Sequence, residues 1–203
     1  MKNAFLFILT FVITISCSTN HLVKLNDEPN LNKIFTRKEI SNLEIIVKFF
    51  DSILVANKKE QDVNVEYHEY FENINTSESM EDLRTRVGLA NVKSLIDMLK
   101  NQEIFNEIWK FSNEYDYKSN DTISLRLNIN LQGKYFILLE SLGKDDDFMK
   151  QYCSSMQASG NINPALIASV IKHYKDVNFQ RDINRLIWAV HYITILFKEP
   201  YIK

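Results

Sequence analysis

Apolar residues recur along this chain mainly three and four positions apart, the spacing that gathers side chains onto one face of a helix. The clearest stripe is Ile40, Leu43, Ile46, Val47, Phe50, Ile53 and Leu54. It starts at TRKE, where the Thr36 hydroxyl stands three residues before Glu39 as a capping box requires. Polar residues from Lys58 to Asp62 end it. VEYHEYFENI, from Val65 to Ile74, predicts a shorter helix with Tyr67, Tyr70, Phe71 and Ile74 on one side, and NTSESMED reads as a turn followed by a cap. Leu83, Val87, Ala90, Val92, Leu95, Ile96 and Leu99 mark the next helix. Ile104, Phe105, Ile108, Trp109 and Phe111 resume a similar period beyond a polar NQE, and two helices with a tight break or one kinked helix fit equally well. SNEYDYKSND is read as a loop.

One stretch supports two readings. ISLRLNINL alternates as a strand would, with Ile123, Leu125, Leu127, Ile129 and Leu131 on one face. Yet Asp121 suits a helix cap, and Leu127, Leu131, Tyr135, Leu138, Leu139 and Leu142 keep helical spacing past Gly133. The helix is favoured, because a lone strand without a second strand-like run would leave its backbone groups unsatisfied. FMKQYCSSM then predicts a helix, SGNINP a stop, and Pro164 the start of ALIASVIKHY. In RDINRLIWAVHYITILF, Ile183, Leu186, Ile187, Val190, Ile193, Thr194 and Phe197 share a face, and Glu199 and Pro200 close the element. The expected fold is all-α: an irregular multi-helix bundle or short α-solenoid-like array of about seven to eight helices, forming one domain over residues 36–203. No internal repeat of fixed period supports a named solenoid.

The N-terminus differs from everything after it. From Ala4 to Ser16 the run AFLFILTFVITIS carries no charge, and Lys2 precedes it. A spanning helix needs roughly 20 apolar residues, whereas this run has the length of a signal-peptide core. Cys17 follows directly, after Thr14, Ile15 and Ser16. This resembles the lipobox of bacterial lipoproteins, in which cleavage occurs before a cysteine that carries diacylglycerol. The box departs from the usual pattern at Thr14 and Ile15, and the Asn-, Ile- and Lys-rich composition is similar to that of Bacteroidota-like lipoproteins. The resemblance covers only the first twenty or so residues. It implies a signal peptide over residues 1–16, lipidation of Cys17, and a location on the cell membrane or outer membrane facing the periplasm. Residues 17–35, polar and without sustained periodicity, are expected to form a flexible tether.

Composition narrows the rest. Gly occurs 4 times and Pro 3 times in 203 residues, too few for the turns of a sandwich or barrel. A net charge of -2, with Lys and Glu interspersed, argues against nucleic acid as a partner. Cys153 is the only other cysteine, so lipidation of Cys17 would leave it a single thiol, read here as a small buried hydrophobe.

Candidate chemistry is sparse. EYHEYFE places His68 and Glu72 one helical turn apart, with Glu66 and Glu69 nearby, but a zinc-protease motif needs a second His where Glu72 stands. The cluster is read as a solvated acidic face. Asp145 to Asp147 lack the glycine and distal glutamate of a calcium loop and suit a helix N-terminus. His173 and His191 lie within apolar helical stretches and are read as core or boundary histidines. Arg126, Arg181 and Arg185 are read as solvated. Ser155, Ser159 and Gly160 form no nucleophile elbow. No metal site, cofactor motif or catalytic constellation emerges. Two classes remain: an anchored module that binds a protein partner, possible in an immunity-like version by analogy alone, and an envelope hydrolase with an acid/base site around His68 and Glu72.

Overall fold

The computed structural model describes residues 23–55, 62–76, 89–115 and 122–200. Most of them are helical. The described residues form α1 (Pro29–Ile34), α2 (Arg37–Val55), α3 (Val63–Asn75), α4 (Leu89–Leu99), α5 (Glu103–Ile108), α6 (Lys134–Leu142), α7 (Asp147–Ser159), α8 (Pro164–His173) and α9 (Asp182–Leu196). Three strands complete the set: β1 (Trp109–Tyr115), β2 (Thr122–Ile129) and β3 (Lys198–Pro200). The all-α, multi-helix expectation therefore holds, with one small sheet added to it.

The helix starts follow local chemistry. Thr36 caps α2 as its spacing implied: its hydroxyl and backbone N–H donate to Glu39, and the Glu39 N–H donates back to the hydroxyl at 3.3 Å. Glu39 is buried, and Lys134 donates to its other oxygen at 2.5 Å, tying α2 to α6. Burial alone would raise the Glu39 carboxyl, but Lys134 and Thr36 outweigh it and hold its pKa below the ordinary value. Asp62, Asp146 and Asn163 cap α3, α7 and α8 through side-chain oxygens. Gly160 ends α7 with φ 75°, the left-handed conformation that favours glycine. Gly133 has a different reason: a Cβ there would lie 2.3 Å from the Glu107 carbonyl oxygen.

α9 runs through the centre. Every residue from Arg185 to Thr194 is buried. It packs against α2, α4 and β2, and an aromatic cluster of Phe50, Tyr67, Phe71, Phe179, Trp188 and Tyr192 joins it to α2 and α3. Burying each such ring contributes roughly 1.5 to 3 kcal/mol. Among these apolar side chains lies Arg185, fully buried, correcting its reading as a solvated arginine. Its guanidinium donates to Asp51 on α2 at 2.8 Å and to Asp182 one turn earlier. Tyr67 of α3 donates to the second Asp51 oxygen at 2.6 Å, and the Lys24 backbone N–H donates to Asp182.

Two further expectations are corrected. The tether expected up to residue 35 does not extend over residues 23–35, because Val23, Leu25, Leu31 and Phe35 are buried in the core and α1 packs against α6. These residues are too few and too scattered to show a period, so their burial left no pattern in the sequence. The stretch from Ile123 to Leu131 is not helical. β2 pairs antiparallel with β1, Trp109 opposite Ile129 and Phe111 opposite Leu127, and also with β3. The partner strand carries the sequence pattern of a helix end plus a loop, since Trp109 and Phe111 fit the period of Ile104, Phe105 and Ile108. The strand order is β1-β2-β3, and Trp109 Nε1 donates to Thr194 Oγ1 at 2.8 Å, fastening the sheet to α9.

Arg185→Met is expected to destabilise the protein by about 3 kcal/mol, because it leaves the partly buried Asp51 and Asp182 carboxylates without their cation. Arg185→Met combined with Asp51→Asn should recover part of that loss. Urea unfolding of the two single variants and the double variant measures the coupling, and additive losses would show that the pair is energetically independent.

Candidate functional site

Of the residues singled out in the sequence, the α3 cluster gathers most. Asp62 accepts from the Asn64 N–H at 2.8 Å to start the helix, and the Asn64 side chain accepts from the Phe179 N–H at 2.7 Å. α3 thereby lies along the segment after α8, where Tyr174–Asp176 form a 3-10 turn. Between them is an open cleft of about 480 Å³ lined by His68, Glu69, Glu72, Asn73, Tyr174 and Lys175. Glu66 does not line the cleft and is buried, correcting its place in a solvated face.

Within the cleft, His68 and Glu72 do not meet each other. His68 Nε2 donates to the Val177 carbonyl at 3.0 Å, a bond that fixes the ring. Glu72 accepts from the Tyr174 hydroxyl and lies 3.8 Å from Lys175 Nζ, which also sits 5.7 Å above the Tyr174 ring. The two residues expected to share an acid/base role are thus each held by the opposite wall. The cleft thus presents a fixed imidazole, the exposed Glu69 side chain and an aromatic edge. That arrangement can offer hydrogen bonds to a polar ligand. Among the described residues, no three His, Cys, Asp or Glu side chains are grouped to hold a metal ion.

A second polar feature lies in the core. The Tyr152 hydroxyl and His191 Nδ1 are 2.8 Å apart and both side chains are buried. Burial holds the His191 pKa down to about 3. The ring is therefore neutral at ordinary pH and shares one hydrogen bond between Nδ1 and the Tyr152 hydroxyl. The neighbouring Cys153 is buried as expected, and burial pushes its thiol up to about 11. His173 stacks on Phe148 with ring centroids 3.6 Å apart, a boundary position. Asp146 caps α7, as the acidic run suggested. Arg126 pairs with Glu114 and Arg181 with Glu28, on separate elements, so no arginine groove forms from them and Arg185. Cys17 lies outside the described residues.

Tyr174 and Lys175 were not singled out in the sequence. They come into the cleft only because α8 returns beside α3, a pairing that no local signal encodes. The chain matches no family model, no curated protein and no solved structure.

Two expectations follow from the buried pair. Above pH 6.5 His191 is neutral in both native and unfolded chains and adds no pH dependence. Below it the unfolded chain binds a proton that the native state refuses until about pH 3, so stability falls as pH drops through that window. His191→Asn, which keeps an acceptor for Tyr152, is expected to flatten that slope between pH 6.5 and 4.5 in urea unfolding. An unchanged slope would assign the acid sensitivity to other groups. Cys153 is expected to react with an aromatic disulfide reagent at neutral pH only after denaturation, and rapid native-state modification would contradict its burial.

Proposed function

We propose that this protein is a lipid-anchored lipoprotein of a bacterial cell envelope whose helical domain binds a protein partner near the membrane. The observation that carries the anchoring is Cys17, placed directly after the uncharged run from Ala4 to Ser16. One acyl chain gives only reversible attachment, and the two or three on a lipoprotein cysteine make it stable. Among the described residues no helix is long and apolar enough to cross a membrane. On this reading the anchor would lie at Cys17 and the folded body would begin by Val23. Six residues can reach at most about 20 Å, so the body would sit close against the bilayer that holds it.

The binding part of the proposal draws on the surface. Phe111 and Tyr115, 39% and 54% exposed, stand on a strand at the edge of the sheet, and Val65, Met98 and Ile137 are further exposed apolar side chains. At the cleft, His68 and Glu72 are engaged by structural partners rather than by each other. These features suit recognition of another protein better than an acid/base reaction at that pair.

Mature protein isolated from membranes is expected to begin at a lipid-modified Cys17, which mass spectrometry of the N-terminal peptide would detect. Cys17→Ala should block that cleavage and remove the lipid mass. A variant processed at the same site and held as firmly through a high-salt wash would refute the anchor. Separately, detergent-solubilised wild type should retain a stoichiometric protein partner on affinity purification. Purification without one under several growth conditions would count against the binding module while leaving the anchor standing.

A further inference from the structure

The described chain enters the folded body at one end of α9. Val23 and Leu25 are buried, and the Lys24 N–H between them donates to Asp182, the first residue of that helix. Glu28 lies 3.6 Å from Arg181, the residue just before it. The Phe179 N–H and the Gln180 side-chain amide in turn donate to Asn64 and Asp62, where α3 starts. The entering segment and the starts of α3 and α9 therefore share one end of the body. Exposed side chains there include Lys24, Asn26, Asp27, Asp62, Gln180 and Arg181, polar groups with charge of both signs.

The sheet lies at the other end of the same helix. α9 has 15 residues and so runs about 22 Å. Near its last turn Thr194 accepts from Trp109, and the Phe197 ring just beyond it lies 6.0 Å from the Phe111 ring. β3 then carries the chain on into the sheet. Lys110 and Phe111, both exposed, are thus separated from the entry point by about 20 Å, the length of helix between them.

We propose that the domain stands on a phospholipid surface by the end where α3 and α9 begin, and carries its sheet away from that surface. This rests on the reading of Cys17 as a lipid anchor. With that cysteine at the bilayer, the six residues to Val23 hold the entry point within about 20 Å of it, and the sheet lies a helix length further on. The polar surface at the entry suits contact with lipid head groups, since insertion would need an apolar face. Phe111, an exposed aromatic of the kind that marks membrane interfaces, is by this geometry turned to the aqueous side. The exposed edge of the sheet thereby stays accessible while the protein is anchored.

The test uses the lipidated protein in vesicles of phosphatidylethanolamine and phosphatidylglycerol that carry an acceptor dye on their head groups. Donor dyes are placed singly through Gln180→Cys and Lys110→Cys, because Cys153 is buried and does not compete for the label. Flotation with the vesicles is read first, with Cys17→Ala as the form that should not float. Energy transfer is then expected to place Lys110 about 10–20 Å farther from the lipid surface than Gln180. Phe111→Ala should leave flotation and both distances unchanged. Equal distances, or a nearer Lys110, in protein that floats overturn the orientation and leave the anchor standing. Weaker flotation of Phe111→Ala overturns the orientation as well, since the aromatic edge then touches lipid. Wild-type protein that does not float overturns the anchor, and the orientation falls with it.

Discussion

A guanidinium with no exposed surface must find its hydrogen-bond partners where water cannot supply them, and Arg185 is such a group. Its two carboxylate partners come from different places: Asp182 from the start of its own helix, Asp51 from α2. Each then holds something else. Asp51 accepts from Tyr67 and so orients α3, and Asp182 accepts from the backbone at Lys24 and so seats the N-terminal segment. Apolar contacts around α9 supply most of the stabilisation, but they are compatible with small shifts in helix position. The charged network is directional, and it specifies how α2, α3, α9 and the entering chain meet.

The cleft inherits its form from that arrangement. α3 is held against the segment after α8 by Asn64, His68 and Glu72, each bonded to the facing wall. The same contacts that shape the cleft also occupy its most reactive side chains. His191 and Cys153 show the complementary case in the core, where burial pushes the imidazole toward its neutral form and the thiol toward its protonated form. Neither is poised for reaction at neutral pH.

How much could be read from the chain depended on the range of the interaction concerned. The Thr36–Glu39 box, the proline and asparagine starting α8, and the glycine ending α7 are signals within a few residues, and each formed where its spacing placed it. Wide apolar stripes on α2 and α9 likewise reported burial, since periodicity records which face leaves water. The acidic cluster on α3 was only half legible. Its order showed Glu69 and Glu72 on a polar face but not that Glu66 is buried.

The amino-acid sequence by itself determined that the domain is helical, where most helices start and stop, which stripes form the core, and that an uncharged N-terminal run ends at a cysteine. Tertiary structure decided the remainder. WKFSNEY is too polar on one face, and too well matched to the preceding helical period, to declare itself a strand. It becomes one because ISLRLNI folds back beside it and Trp109 reaches Thr194 across 85 residues. Arg185 and the buried N-terminal segment follow the same logic. A charge in an apolar helix and a few scattered apolar residues gain their roles only when distant partners arrive, because burial belongs to the assembled fold and not to the local chain.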